Sequence, residues 1–87
     1  MIPIEDLLHR VQWDPGFAGA EVLVGYLDRV GHRIVRVRFD RIHLTRGHHF
    51  SFDAVEDDGS VHEVPFHRVR EVWRDGVLIW QRGPVRL

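Results

Sequence analysis

Seven histidines give this sequence its widest range of possible side-chain chemistry. Near neutral pH a histidine can act as an acid, a base or a metal ligand. His48 and His49 are adjacent, so on a strand they would point to opposite faces and could not hold one ion together. The chain has no cysteine, which excludes a thiolate nucleophile and a cysteine-ligated zinc site. We therefore predict no metal site and no cofactor.

Two short segments have the histidine-x-serine/threonine spacing of two-histidine phosphoesterases: His43-Leu44-Thr45 and His49-Phe50-Ser51. In that chemistry one histidine accepts a proton and the other donates one across a cyclic phosphate, while the hydroxyls bind its oxygens. Those enzymes place the two elements far apart in a larger, duplicated fold, whereas here they are six residues apart. The spacing favours surface histidines, and we assign no catalytic residue.

Arginine supplies all twelve basic residues of the chain. Arg36 and Arg38 alternate along one predicted strand, and Arg68 and Arg70 alternate along another. A guanidinium can bind two oxygens of a phosphate at once and stays charged at any working pH. Alternating arginines can therefore line a groove for an anionic ligand. They also occur on solvated sheet faces where they pair with acids, and thirteen acids are available here, so both interpretations stay open.

Aromatic residues can add stacking on nucleic-acid bases to such an arginine site. Four rings are candidates for this role, and four others lie in apolar context and are predicted to be in the core. The candidates are Phe17, Tyr26, Trp73 and Trp80, and the predicted core rings are Trp13, Phe39, Phe50 and Phe52.

The first element that must position these side chains is a helix over about residues 3–13. Its apolar residues fall at i, i+3, i+4 and i+7, which places them on one face. Pro3 suits the first helical position, and Asp14-Pro15-Gly16 ends the helix, because the residue before a proline avoids helical geometry. The apolar face consists of Ile4, Leu7, Leu8 and Val11.

Short runs of β-branched and aromatic residues, separated by turn residues, fill the rest of the chain and predict strands. Asp58-Gly59 and Asp75-Gly76 are two-residue hairpin signals, because Asp and Gly tolerate the positive φ that such turns require. Val30-Gly31-His32-Arg33 predicts a third hairpin. We expect strands near residues 21–28, 33–39, 49–55, 60–65, 68–74 and 77–82.

These elements predict one α+β domain over residues 1–87, with the helix at about 3–13 and β-hairpins over about 21–82. We expect the helix to pack on a strongly curved antiparallel sheet or small open barrel of five to six strands. The first residues carry acids where a signal peptide carries bases, and no apolar run is long enough to span a membrane. The expected location is the cytoplasm.

Five segments of the chain carry a resemblance to a known family: Trp13-Asp14-Pro15, Gly25-Tyr26-Leu27-Asp28-Arg29, His49-Phe50-Ser51-Phe52, Val64-Pro65-Phe66-His67-Arg68-Val69-Arg70-Glu71-Val72 and Arg74-Asp75-Gly76-Val77-Leu78-Ile79-Trp80. They occur in the order found in a small, mostly archaeal family of uncharacterised proteins. That family is similar to a domain proposed to recognise RNA ends bearing a cyclic phosphate. The resemblance covers Ile2 to Arg82, and the Pro-x-His-Arg and Gly-Tyr-x-Asp-Arg segments are its most specific parts.

The resemblance implies a set of residues that bind RNA or phosphate. Arg29 and Arg68 would pair with non-bridging phosphate oxygens, and His67 would donate to a ribose or phosphate oxygen. Asp28 would hold Arg29 in place or accept from a hydroxyl. Tyr26 or Trp80 would stack on the terminal base. The complete set is Tyr26, Asp28, Arg29, His49, His67, Arg68, Trp80 and Arg82.

The resemblance therefore predicts an RNA-binding module for processed ends with a 2′,3′-cyclic phosphate, with RNA-processing enzymes as further candidate partners and no membrane partner. A second hypothesis is a small cyclic phosphodiesterase or ribonuclease that uses His49 and His67 as acid and base. A third is a protein-interaction domain that binds no nucleic acid and recruits a partner through the acidic segment Asp53 to Glu63 or through a free strand edge. The residues implied by the resemblance also have structural alternatives: Asp28 and Arg29 can pin a hairpin, His67 can bond a neighbouring strand and Trp80 can fill the core.

Overall fold

The computed structural model describes residues 2–28, 30–44 and 50–83. One α-helix and seven strands lie in this described part of the chain. The helix is α1 (Ile4–Trp13), and the strands are β1 (Val22–Leu27), β2 (Ile34–Arg38), β3 (Ile42–His43), β4 (Ser51–Val55), β5 (Val61–Pro65), β6 (Val69–Arg74) and β7 (Val77–Gln81). Three short 3-10 turns connect them, at Pro15–Phe17, Phe39–Arg41 and Phe66–Arg68.

The strands form two antiparallel sheets whose order follows from two of these turns. The four-stranded sheet has the order β2-β1-β6-β7, and the three-stranded sheet has the order β3-β4-β5. The turn Phe39–Arg41 leads from β2 in the larger sheet to β3 in the smaller one, and Phe66–Arg68 leads back from β5 to β6. Each turn closes with the same bond, in which the following residue, Ile42 or Val69, donates its backbone N–H to the phenylalanine carbonyl.

A single hydrophobic core lies between α1 and the inner faces of the two sheets. Burying this apolar surface is the main favourable term in folding. Helix α1 is stable only because its apolar face docks here, since an isolated helix of ten residues is marginal in water. The buried residues are Ile4, Leu7, Leu8, Val11, Val22, Val24, Tyr26, Ile42, Phe52, Ala54, Val64, Phe66, Val69, Val72 and Trp80.

The predicted α+β class is confirmed, and each predicted strand matches an observed one to within two residues. The additional strand is the two-residue β3, which is too short for a sequence pattern to indicate. The predicted single curved sheet or open barrel is not confirmed, because the described strands form two separate sheets. No helix in the described residues is long and apolar enough to cross a membrane.

The two Asp-Gly turns differ from each other. At Asp75-Gly76 both residues have positive φ, 49° and 82°, as the predicted two-residue turn requires. At Asp58-Gly59 only the glycine does, and the hairpin loop is longer, closed by the N–H of Glu56 donating to Ser60 O at 2.8 Å. The two-residue prediction is therefore wrong for Asp58-Gly59, although a hairpin does form there.

Two of the four rings predicted to lie in the core are exposed. Trp13 is 77% exposed, because it lies two residues beyond Val11 and so points away from the apolar face of α1. Phe50 is 85% exposed and precedes the first residue of β4. Phe52 is buried and Phe39 packs partly against the core, as predicted.

Candidate functional site

A groove of about 650 Å³ lies where the end of the β1–β2 hairpin faces the β4–β5 hairpin. Its lining combines apolar residues with charges of both signs. Concave sites that combine apolar residues with convergent polar groups are the usual places for a small ligand or a ligand end. The polar lining residues are Tyr26, Asp28, Arg33, Glu56, His62, Glu63 and Arg68.

Asp28 shapes one wall of the groove through the loop that follows β1. Its Oδ1 accepts from the N–H of Val30 and its Oδ2 from the N–H of Gly31, each at 3.2 Å. Its own N–H donates to the carbonyl of Arg33 at 2.7 Å. A side chain satisfying two loop donors holds the turn in one conformation. The structural alternative for Asp28, that it pins a hairpin, is therefore confirmed.

Arg68 enters the groove from the turn between the two sheets. Phe66, at the start of this turn, is buried against Phe52 with ring centroids 5.6 Å apart, so the turn is anchored in the core. Arg68 itself is half-buried and has no hydrogen bond or ion pair with any residue that the structure describes. Its guanidinium is therefore available to a ligand in the groove.

Tyr26 contributes a hydroxyl to the groove and little else. Its ring is 9% exposed and belongs to the core, so it has almost no free face for stacking. Burial raises the pKa of the Tyr26 phenol, and the negative charges of Glu56 and Asp28 raise it further. The hydroxyl thus stays protonated at any working pH and can donate a hydrogen bond.

A second polar cluster forms around the carbonyl of His67. Arg70 Nη1 donates to this oxygen at 2.6 Å, and Arg82 Nη1 donates to it at 3.0 Å. The Arg82 guanidinium also lies 5.2 Å from the centre of the Trp80 ring. Trp80 is buried, and its Nε1 donates to the carbonyl of Ile2 at 2.9 Å. Trp80 therefore fills the core, as its structural alternative predicted, while the His67 imidazole is exposed.

The arginines on β2 differ from Arg68 and Arg70 because each has an acid partner. Arg36 Nε lies 2.6 Å from Glu71 Oε1, and Arg38 Nη2 lies 2.8 Å from Asp40 Oδ2. These two belong to a sheet face paired with acids, one of the two interpretations of the alternating arginines. Neither Arg68 nor Arg70 has an ion-pair partner in the described residues, so only this second pair is left for an anionic ligand.

The family model of the MJ1316 RNA cyclic group end recognition domain matches residues 1–82. The chain belongs to this family. The match confirms the resemblance found in its motifs and covers both the groove and the His67 cluster. No curated protein and no solved structure gives a significant match to the chain.

The positions expected from the MJ1316-type motifs fall into two places instead of one. Tyr26, Asp28 and Arg68 line the groove, whereas His67, Trp80 and Arg82 belong to the second cluster. The other two expected positions, 29 and 49, lie outside the described residues. The motifs do not include four polar residues that line the groove, Arg33, Glu56, His62 and Glu63. Arg70, in the second cluster, is one of the alternating arginines that the sequence offered for an anionic ligand.

Proposed function

We propose that this protein is an RNA-binding module that recognises processed RNA ends, with a 2′,3′-cyclic phosphate as the preferred terminus. The observation that carries the proposal is the guanidinium of Arg68, which has no partner among the described residues and lines a groove that also offers a hydroxyl donor, Tyr26. The family match supports the same ligand class.

The groove offers separate groups for the two parts of an RNA end. Arg68 binds the non-bridging oxygens of the terminal phosphate with two parallel N–H donors, and the Tyr26 hydroxyl donates to the same phosphate. The carboxylates of Glu56 and Glu63 accept from N–H groups on the edge of the terminal base. Because Tyr26 is buried, base recognition in this proposal uses hydrogen bonds and not stacking on its ring.

Three carboxylates in the groove give a reason for preferring a cyclic end. A cyclic phosphate is a diester with one negative charge, whereas a linear terminal phosphate carries about −1.5 to −2 at pH 7. Asp28, Glu56 and Glu63 repel the additional charge, and each such repulsion is stronger in a partly buried groove than in water. The groove therefore selects the terminus with the smaller charge.

The test compares short RNAs that differ only in the 3′ terminus, which is a cyclic phosphate, a linear phosphate or a hydroxyl. Wild type should bind the cyclic end most tightly, and Arg68→Ala should remove this preference. Arg10→Ala is the matched control, since it removes the same charge from the exposed surface of α1. Equal and weak binding of all three RNAs by wild type would contradict the proposal and would turn attention to protein partners.

A further inference from the structure

Arg70 and Arg82 form an unusual pair because both bond to the same oxygen. Their Nη1 atoms lie 2.6 Å and 3.0 Å from the carbonyl oxygen of His67. The two Nη1 atoms are therefore separated by no more than the sum of these two distances. The strands β6 and β7 hold them in this position, since the N–H of Arg82 donates to the carbonyl of Arg70 at 2.9 Å. Two cations are thus fixed side by side by the backbone.

No described acid neutralises this pair. Glu71 follows Arg70 in the chain, but its side chain is on the other face of the sheet, where it bonds Arg36. The carbonyl of His67 is a dipole and offsets only part of two full charges. Burial lowers the pKa of Arg82, and the nearby charge of Arg70 lowers it further, which is the expected result of holding like charges together. An anion that bridges the two guanidinium groups would relieve this repulsion.

The pair is also organised before any ligand arrives. Arg82 lies against the Trp80 ring, and Trp80 is held by its bond to the carbonyl of Ile2. Arg70 keeps one nitrogen on the carbonyl of His67, which leaves its remaining N–H donors free to face a ligand. A preorganised pair of this kind loses little side-chain entropy on binding.

We infer that Arg70 and Arg82 form a second phosphate site, which holds a backbone phosphodiester of the RNA upstream of its end. This inference rests on the proposed function, because the groove at Arg68 supplies the terminal contact. Arg68 and Arg70 are two residues apart, which places their Cα atoms no more than about 7 Å from each other. An RNA chain whose 3′ end lies in the groove therefore passes the second site a short distance upstream of that end.

The first arm of the test uses inorganic phosphate alone, so its outcome does not depend on end recognition. Phosphate should shift the side-chain Nε–Hε NMR signals of Arg70 and Arg82 in a saturable manner. Arg70→Gln should weaken this binding about tenfold, the usual effect of losing a charge-assisted hydrogen bond. Arg70→Lys keeps the charge but loses the paired N–H donors of the guanidinium, so it should recover only part of the phosphate affinity. Arg10→Gln should leave the phosphate affinity unchanged. Two results would overturn the inference: NMR shifts that grow in proportion to phosphate concentration without saturating, or a shift of the Arg82 signal in Arg70→Gln as large as in wild type.

The second arm uses RNAs with hydroxyl, linear and cyclic 3′ ends. Arg70→Gln and Arg82→Gln should weaken binding of all three by the same factor, because an internal phosphate is present in each. Any preference for the cyclic end should persist in these variants and be lost only in Arg68→Ala. Should wild type show no end preference, the proposed function fails while the phosphate arm still decides the second site. A loss confined to the cyclic-ended RNA would show that Arg70 contacts the terminus, and would overturn the assignment to an upstream phosphate.

Discussion

The side chain of Glu71 crosses the central strand β1 to reach Arg36 on the far side, and Arg36 Nε donates to Glu71 Oε1 at 2.6 Å. The residue between them in the sheet is Gly25, which is paired with Arg36 on one side and Glu71 on the other. Glu71 is 9% exposed, so the ion pair is partly buried. The absence of a side chain at position 25 is what gives the carboxylate its path.

Gly25→Ala should therefore destabilise the fold by crowding the Glu71 side chain. A Cβ at position 25 would lie 2.7 Å from Glu71 Oε1, so the carboxylate would have to move away from Arg36. Crowding a packed site costs about 1–3 kcal/mol, and weakening the ion pair adds little to this because Arg36 is half exposed. We expect a loss in this range in the free energy of unfolding, measured by urea denaturation.

The matched control is a double-mutant cycle with Glu71→Ala. Once the glutamate side chain is gone, the alanine Cβ at position 25 meets little, so the second substitution should cost much less in this background. If Gly25→Ala lowered the free energy of unfolding equally in both backgrounds, the path of the Glu71 side chain over position 25 would not explain why a glycine is needed there.

Asp28 should affect stability and RNA binding together. Asp28→Ala removes the acceptors for the N–H groups of Val30 and Gly31, at about 1 kcal/mol for each bond lost. Because the same loop forms one wall of the groove, affinity for the cyclic-ended RNA should fall as well. Asp28→Asn retains one acceptor and should give an intermediate loss in urea denaturation. A full loss of stability with unchanged RNA affinity would place the ligand away from this loop.

Tyr26 is the only tyrosine in the chain, so its ionisation can be followed directly by ultraviolet absorbance. Burial and the charges of Glu56 and Asp28 raise its pKa above the ordinary value of 10.0. The phenolate should therefore form at higher pH in the folded protein than in urea. A pKa raised on folding gives stability that is complete below the unfolded value and is lost as pH rises through the folded one.

Tyr26→Phe supplies the control for this titration. The absorbance change should disappear, and stability above pH 10 should decline less steeply than in wild type. Overlapping folded and unfolded titration curves for wild type would contradict the burial of the hydroxyl beside two carboxylates.

The sequence predicted the helix and the hairpins because their signals are local. The 3.6-residue period of Ile4 to Val11 and the turn residues at Asp75-Gly76 need no information from distant parts of the chain. The division of the strands into two sheets was not predictable in this way. It depends on the turns Phe39–Arg41 and Phe66–Arg68, which contain neither glycine nor proline. The two turns share the pattern Phe-x-Arg followed by Ile or Val, and this pattern is the feature of the sequence that marks them.

The candidate site was only partly predictable for a related reason. His67 and Arg68 are neighbours in one motif, yet Arg68 lines the groove while the carbonyl of His67 organises the other cluster. Both residues lie in the 3-10 turn Phe66–Arg68, where successive residues point in different directions, so a motif cannot by itself assign both to one ligand. Glu56 and His62 were missed because they flank a loop and join the groove only through the pairing of β4 with β5.

The discrimination between cyclic and linear ends should depend on pH if the groove carboxylates cause it. The linear phosphate gains its second charge near pH 6, whereas the cyclic diester keeps a single charge. The dissociation constant of the linear end, divided by that of the cyclic end, should therefore rise between about pH 5 and pH 7.5. The reason is that Glu56 and Glu63 repel the charge that the linear phosphate gains.

Glu63→Gln isolates the carboxylate contribution, because it keeps the size of the side chain and removes its charge. Binding of the linear end above pH 7 should improve about threefold, while binding of the cyclic end should change less, since a single charge feels half the repulsion of two. Glu21→Gln, an exposed acid outside the groove, is the matched control and should leave the ratio unchanged. A ratio that stays constant with pH would mean that shape and not charge distinguishes the two ends, and the selectivity would then have to come from how closely the walls around Arg68 fit the five-membered cyclic ester.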